Sequence, residues 1–194
     1  MATIWGGSKN NTISFFTSDA ELPPGEKATN GPDTIYGEGG NDYLDGWKGD
    51  DTLYGGNGHD TLLGYDGYDK LYGGAGNDTL KGEKGPDDLY GGAGVDKLYG
   101  GAGDDYFYFG KTDSGDIFDK KADTIYDFNQ SQGDEIWLKG SYTYAGNTSA
   151  PADGQYSVWT KDGDYVVTWN AAGDAGYHDV IVKGDNPEGD VSFY

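Results

Sequence analysis

Aspartate recurs at every ninth residue over a long stretch of the chain: Asp33, Asp42, Asp51, Asp60, Asp69, Asp78, Asp87, Asp96 and Asp105. Two residues before each stands a glycine, in the column Gly31, Gly40, Gly49, Gly58, Gly67, Gly76, Gly85, Gly94 and Gly103. Two residues after each stands an apolar side chain: Ile35, then Leu44, Leu53, Leu62, Leu71, Leu80, Leu89 and Leu98, then Phe107. A further glycine column runs through positions 37, 46, 55, 64, 73, 82, 91 and 100. Carboxylates spaced this way come to lie over one another if the units stack. A stack of ionised Asp repels itself unless a hard cation sits between its members. Calcium suits such a place because it accepts about six to eight oxygens in flexible geometry, where magnesium demands octahedral order. The glycine turns at Gly40, Gly49, Gly58, Gly67, Gly76, Gly85, Gly94 and Gly103 offer backbone carbonyls beside each carboxylate.

The elements that must hold these residues follow from the same frame. Each unit divides into a six-residue turn, such as 73–78, and a three-residue strand, Thr79-Leu80-Lys81. Glycine supplies the left-handed backbone and close approach of the turn, and period-two alternation sends the middle strand residue inward. Two units close one coil, and coils stack as parallel strands ~4.8 Å apart, so the repeats form about four and a half coils and a body about 20 Å long. The Asp columns 33/51/69/87/105 and 42/60/78/96 leave four and three gaps, which predicts about seven interturn calcium ions, with one or two more at the flanks.

Composition agrees with a chain that needs an ion. Only 35% of the 194 residues are apolar and 36 are glycine, which leaves little for an ordinary core. Seventeen Tyr, seven Phe and five Trp argue against disorder throughout. The net charge of −21 excludes nucleic acid and anionic membrane as natural partners and favours cations. With no cysteine and only His59 and His178 to supply imidazole, zinc is poorly served. The start of the chain lacks the pattern of a secretory signal, and no apolar run is long enough for a transmembrane segment. No HExxH, GxSxG or P-loop occurs, and pairs such as Asp104-Asp105 are better explained as turn and calcium positions than as glycosidase acids. The chain reads as non-enzymatic.

The unit Gly73-Gly74-Ala75-Gly76-Asn77-Asp78-Thr79-Leu80-Lys81 carries the pattern GGxGxDxUx intact, and resembles the RTX repeats of proteins exported by bacterial type I systems. The resemblance implies an all-β fold, a right-handed parallel β-roll, with calcium bound between turns. The segment from Asp113 through Ala122-Asp123-Thr124-Ile125 to Leu138 resembles the region that follows the roll in serralysin-type proteases and related lipases. That likeness implies that Asp113 and Asp123 finish the last calcium site. The pattern departs at Glu38, Trp47, Tyr65 and Glu83, which replace its second glycine, and at Pro32 and Pro86 before the Asp. Weaker binding is expected in those turns, and the first unit, keeping only Gly31, Asp33 and Ile35, reads as a capping coil.

Four regions are expected. Residues 1–27 hold the short strand-like runs Thr3-Ile4-Trp5 and Thr12-Ile13-Ser14-Phe15-Phe16, which cap the first coil against edge pairing. Residues 28–108 are the nine repeats, 109–138 their flanking segment, and 139–194 a C-terminal antiparallel β cap built around the hairpin signature Lys161-Asp162-Gly163-Asp164. The terminal Asp190-Val191-Ser192-Phe193-Tyr194 fits an uncleaved type I secretion signal or a plain edge strand. Tyr36, Tyr54, Tyr72, Tyr90 and Tyr108 recur every 18 residues on one sheet. They read either as cross-strand packing, under the cap or stiffening the sheet, or as a face for extracellular polysaccharide or self-association. The expected protein is secreted, extracellular or associated with the bacterial cell surface, folds on calcium outside the cell and serves binding or adhesion. Self-assembly into a matrix or surface layer is the alternative, and service to a polysaccharide-active enzyme a third.

Overall fold

One apolar residue per nonapeptide points inward, and Ile35, Leu44, Leu53, Leu62, Leu71, Leu80, Leu89, Leu98 and Phe107 are all fully buried. The computed structural model describes residues 3–7, 12–13, 28–110, 122–139, 143–146, 148–149, 151–152, 155–170 and 177–193. Ser14, Phe15, Phe16, Asp113 and Tyr194 lie outside the described residues.

The chain alternates between two sheets. In the repeats the strands are β3 (Thr34–Gly39), β4 (Tyr43–Asp45), β5 (Thr52–Asn57), β6 (Thr61–Asp66), β7 (Lys70–Ala75), β8 (Thr79–Lys84), β9 (Asp88–Ala93), β10 (Lys97–Ala102) and β11 (Tyr106–Phe109), preceded by β1 (Thr3–Gly7) and β2 (Thr12–Ile13). Odd-numbered members line one sheet and even-numbered members the other, each pairing in parallel with the strand one coil away. The pairs are an 18-residue step apart, as in Leu53↔Leu71 and Leu62↔Leu80. Most paired segments span six residues, not the expected three. The ladder runs on through the left-handed position, Gly56↔Gly74 in one sheet and Tyr65↔Glu83 in the other, to Asn57↔Ala75 and Asp66↔Lys84.

The N-terminal strands enter this register as capping strands. β1 pairs with β3 as Ile4↔Ile35 and Trp5↔Tyr36, and β2 pairs with β4 as Ile13↔Leu44. Beyond the repeats the roll continues. β12 (Asp123–Phe128) pairs with β10 as Leu98↔Ile125, and β13 (Glu135–Leu138) pairs with β11 as Phe107↔Ile136.

The remaining strands are β14 (Thr143–Tyr144), β15 (Gln155–Lys161), β16 (Asp164–Asn170), β17 (His178–Gly184) and β18 (Val191–Phe193). β15, β16 and β17 are antiparallel neighbours, as expected of the cap. They do not stand on the roll as a separate sheet. β17 pairs in parallel with β12, and β18 with β13, so the cap prolongs both sheets of the roll. The result is an eight-stranded and a ten-stranded sheet around one continuous core from Ile4 to Val191. In β16, Val166, Val167, Thr168 and Trp169 are all buried, so this strand is covered on both faces. Thr168 is paired on both sides: Trp159 Nε1 donates to Thr168 Oγ1 at 2.8 Å, and that hydroxyl donates to Asp179, whereas the buried Trp169 Nε1 has no hydrogen-bond partner. His178 stacks on Trp169, with ring centroids 5.4 Å apart.

Candidate metal sites in the turn stacks

Each turn is shaped by glycines that no other residue replaces without cost. In 55–60, Gly56 and Gly58 have φ of +106° and +144°, and a Cβ on either would strike the carbonyl oxygen of Glu38 or Gly40 in the coil before. The same contact recurs from Gly58 to Gly76, from Gly76 to Gly94, from Gly49 to Gly67, from Gly67 to Gly85 and from Gly85 to Gly103. The glycine carbonyls expected to serve a cation therefore line up along both turn stacks. Glu38, Trp47, Tyr65 and Glu83 adopt φ of 71° to 80°, the geometry of the glycines they replace, at roughly 1–2 kcal/mol each. The fifth turn position makes its own ladder. His59 N–H donates to Asn41 Oδ1, Asn77 N–H to His59 Nδ1 and Val95 N–H to Asn77 Oδ1. His59 thus takes its place in the ladder as an acceptor through Nδ1. Pro86, which has no N–H, follows Tyr68, whose hydroxyl turns away to Asp88 at 2.6 Å.

The structure brings the nine repeat aspartates together as two buried columns, each at most 3% exposed. In each column a carboxylate Oδ1 accepts the backbone N–H of the Asp one coil earlier. Asp33 N–H donates to Asp51 at 2.7 Å, Asp51 to Asp69 and Asp69 to Asp87 at 2.8 Å, and Asp87 to Asp105 at 3.0 Å. In the other column Asp42 N–H donates to Asp60 at 2.7 Å, and Asp60 to Asp78 and Asp78 to Asp96 at 2.8 Å. The second oxygen behaves differently. Oδ2 of Asp51, Asp60, Asp69, Asp78, Asp87 and Asp105 is buried with no hydrogen-bond partner.

Burial is the main force on these groups. It pushes Asp51 to about 8, Asp69 to about 7, Asp78 to about 6, Asp87 to about 9 and Asp105 to about 7, against an ordinary 3.8. The amides of the preceding coil pull the other way, and carboxylates of the same column add to the rise for Asp51, Asp78 and Asp87. A bare carboxylate oxygen in such a place costs about 1–3 kcal/mol or more unless a proton or a cation meets it.

Oxygen donors converge where a cation would need them. The place a Cβ would take on Gly55 lies 2.5 Å from Asp60 Oδ2 and 2.6 Å from the carbonyl oxygen of Gly73; on Gly73 it lies 2.6 Å from Asp78 Oδ2 and 2.5 Å from the carbonyl of Gly91. This glycine column leaves a carboxylate of one coil beside a carbonyl of the next. Among the described residues, no three Asp, Glu or His side chains gather closely enough to hold a metal alone. The oxygens that meet beside this glycine column are carboxylate and carbonyl, all hard donors, which suits calcium chemistry and not that of zinc.

Both columns run past the repeats. Asp123 is buried and its Oδ1 accepts from Asp96 N–H at 2.7 Å, so it ends the second column. Asp134, not singled out from sequence, ends the first: its Oδ1 accepts from Asp105 N–H at 3.1 Å and its Oδ2 from Asn129 N–H at 2.8 Å. Asp127 was also missed; its Oδ1 accepts from Gly100 N–H at 3.0 Å and burial raises its pKa. The sequence held the signal, since Asp123-Thr124-Ile125 and Asp134-Glu135-Ile136 repeat the Asp-x-apolar step. At the other end, Asp33 accepts from the backbone and hydroxyl of Thr29.

On the outer face of the eight-stranded sheet the five repeat tyrosines stack ring on ring. Centroids are 4.8, 4.8, 4.5 and 4.4 Å apart from Tyr36 to Tyr108, with planes within 15°. Trp137 follows Tyr108 at 5.9 Å. The faces of the inner rings are thus covered by their neighbours, and edges and hydroxyls are what the sheet presents. Beside the ladder, Lys70 pairs with the buried Asp88 at 3.2 Å.

Alternating parallel sheets, glycine turns and buried Asp columns define a calcium-binding repeat module. A family model for RTX calcium-binding nonapeptide repeats (four copies) matches residues 27–62, 54–89 and 82–113. Residues 27–113 thus carry RTX calcium-binding nonapeptide repeats. No curated protein matches the chain in sequence. Similar solved structures include two subunits of the Azotobacter vinelandii mannuronan C5-epimerase. AlgE6R3 is 22% identical, with 96% of this chain and 79% of that one covered and a TM-score of 0.43. AlgE6R2 is 24% identical, with 88% and 96% covered and a TM-score of 0.45.

Proposed function

We propose that this protein is a secreted, non-enzymatic calcium-binding component whose roll folds when calcium enters its turn stacks outside the cell. The observation that carries the reading is the set of six buried carboxylates with a bare Oδ2 in the middle of the columns. Asp33, Asp42, Asp51, Asp60, Asp69, Asp78, Asp87, Asp96, Asp105 and Asp123, with Asp134, would hold the ions together with the glycine carbonyls. Columns of six and five leave nine gaps, two more than the repeats alone provide. With free calcium about tenfold above Kd, each site contributes roughly 1.4 kcal/mol, so together they match the ~5–15 kcal/mol stability of an ordinary domain. At the far lower calcium of a cytosol that contribution vanishes, the −21 charge keeps the chain expanded, and the chain suits passage through a type I channel.

Circular dichroism of the full chain tests this. Calcium added to chelated protein should produce a cooperative gain of β signal that magnesium does not reproduce; an equally folded chain in chelator contradicts the reading. A second reading, self-assembly, is favoured by the parallel edge strands β1 and β18 that end the eight-stranded sheet. Light scattering after size exclusion should then show calcium-dependent oligomers.

A further inference from the structure

Face-to-face stacking puts phenols of successive coils in reach of one another's ring carbons. We propose that the Tyr36/Tyr54/Tyr72/Tyr90/Tyr108 ladder is an oxidative cross-linking site, where a one-electron oxidant joins successive coils through dityrosine bonds. The class of oxidant is a peroxidase acting with hydrogen peroxide, or any agent of similar potential.

The geometry is that of a column prepared for coupling. Adjacent centroids are 4.4–4.8 Å apart and the planes 5–15° from parallel, so each carbon ortho to a hydroxyl has a counterpart on the next ring across the gap. Hydroxyls of adjacent rings lie side by side because the strands are in register, Tyr54↔Tyr72 and Tyr72↔Tyr90. Burial raises the pKa of Tyr90 and Tyr108, the latter to about 12, so the reacting form at neutral pH is the phenol.

The chemistry balances. Each of two neighbouring phenols gives up one electron to the oxidant and its hydroxyl proton to water, leaving two phenoxyl radicals with spin on their ortho carbons. Those carbons form one C–C bond, and each ortho hydrogen then moves to its own ring's oxygen. Two phenols have lost two electrons and two protons, and one hydrogen peroxide has become two waters. The new bond ties coils that are 18 residues apart in the chain, in the direction in which the calcium ions would hold them.

Other tyrosines provide the reference. Tyr99 and Tyr126, on the opposite sheet, form a stacked pair at 4.8 Å flanked by Lys81 and Lys183. Among the described residues, Tyr43, Tyr68 and Tyr177 are the exposed ones. An oxidant selecting by access alone would consume these three and join separate molecules.

The test oxidises dilute, folded full-length protein with photogenerated ruthenium(III) tris-bipyridine, persulfate being the terminal electron acceptor. Dityrosine fluorescence is expected in the monomer fraction, with linked peptides joining 72 to 90 and 90 to 108, each short of two hydrogen atoms. The cross-linked monomer should keep β signal in chelator. The double variant Tyr72→Phe/Tyr90→Phe keeps every ring and should lose the 54–72, 72–90 and 90–108 products while leaving 36–54. Unchanged dityrosine in that variant overturns the proposal. So does an equal yield from urea-unfolded chain, or linkage confined to Tyr43, Tyr68 and Tyr177 between molecules. A chain that folds without calcium yet gives the same linked peptides would support the ladder while contradicting the calcium reading.

Discussion

The repeats and the C-terminal strands belong to the same two sheets, yet they solve burial in opposite ways. Between Asp33 and Asp105 each nonapeptide buries at least one apolar side chain and at least one carboxylate, and in the middle of the columns one oxygen of the column carboxylate has no hydrogen-bond partner. In β16 four successive residues are buried, and Thr168 joins Trp159 to Asp179 in a closed chain of hydrogen bonds. The first region leaves a repeating row of carboxylate oxygens unmet, and the second leaves a single indole N–H, that of Trp169, beside a hydroxyl met on both sides. The ends of the first Asp column resemble the second region, because Thr29 serves Asp33 and Asn129 serves Asp134.

The largest effect that separates the regions is that of pH on calcium-free protein. Asp51, Asp69, Asp78, Asp87 and Asp105 have pKa values of about 6 to 9 in the folded roll. Unfolding returns them to about 3.8–3.9, so the folded chain binds more protons than the unfolded one across the window between. Stability of the calcium-free roll is therefore fully present below about pH 3.8, falls as pH rises across that window and is lost once pH has passed the folded values of about 6 to 9. Circular dichroism of dialysed protein should show β signal near pH 4 that is lost by about pH 9, and calcium should restore it. A calcium-free roll that gains structure as pH rises would reverse the sign.

A smaller effect should come from single carboxylates. Asp69→Ala removes a bare oxygen from mid-column and orphans the Asp51 amide, a loss of about 1–3 kcal/mol beyond any ion it disturbs. Asp33→Ala acts at an end already served by Thr29. The calcium midpoint in a titration should rise more for Asp69→Ala than for Asp33→Ala, and equal midpoints would deny the difference between middle and end.

The smallest effect sharpens the other side of the comparison. Thr168→Val breaks the Trp159–Thr168–Asp179 chain at about 1–3 kcal/mol. Urea unfolding should show the loss at saturating calcium, with the calcium midpoint of the roll little changed.

Much of this was legible in the sequence, for a physical reason: the nine-residue period is fixed by backbone register, so any residue with a duty in the roll returns at a fixed step. That made the Asp, glycine and Leu columns and the tyrosine ladder readable. The reading stopped where the period stops. Lys97↔Thr124 and Tyr106↔Glu135 pair across 27 and 29 residues instead of 18, and the longer step hid Asp134 and Asp127 although Asp123 was reached by resemblance. Nor did the antiparallel cap announce that β17 would join β12 edge to edge. That pairing depends on two open sheet edges meeting, which no local pattern encodes. Ring orientation in the ladder was equally silent, since sequence gives the face a tyrosine occupies and not the direction its ring plane takes.

The central claim is that calcium sits between successive aspartates of the two columns, and diffraction from crystals grown with calcium, recorded for its anomalous signal, tests it most directly. Peaks are predicted in the turn stacks between neighbours in Asp33/Asp51/Asp69/Asp87/Asp105/Asp134 and in Asp42/Asp60/Asp78/Asp96/Asp123, each with carboxylate and glycine carbonyl ligands. A folded roll with no calcium in either stack would contradict the account.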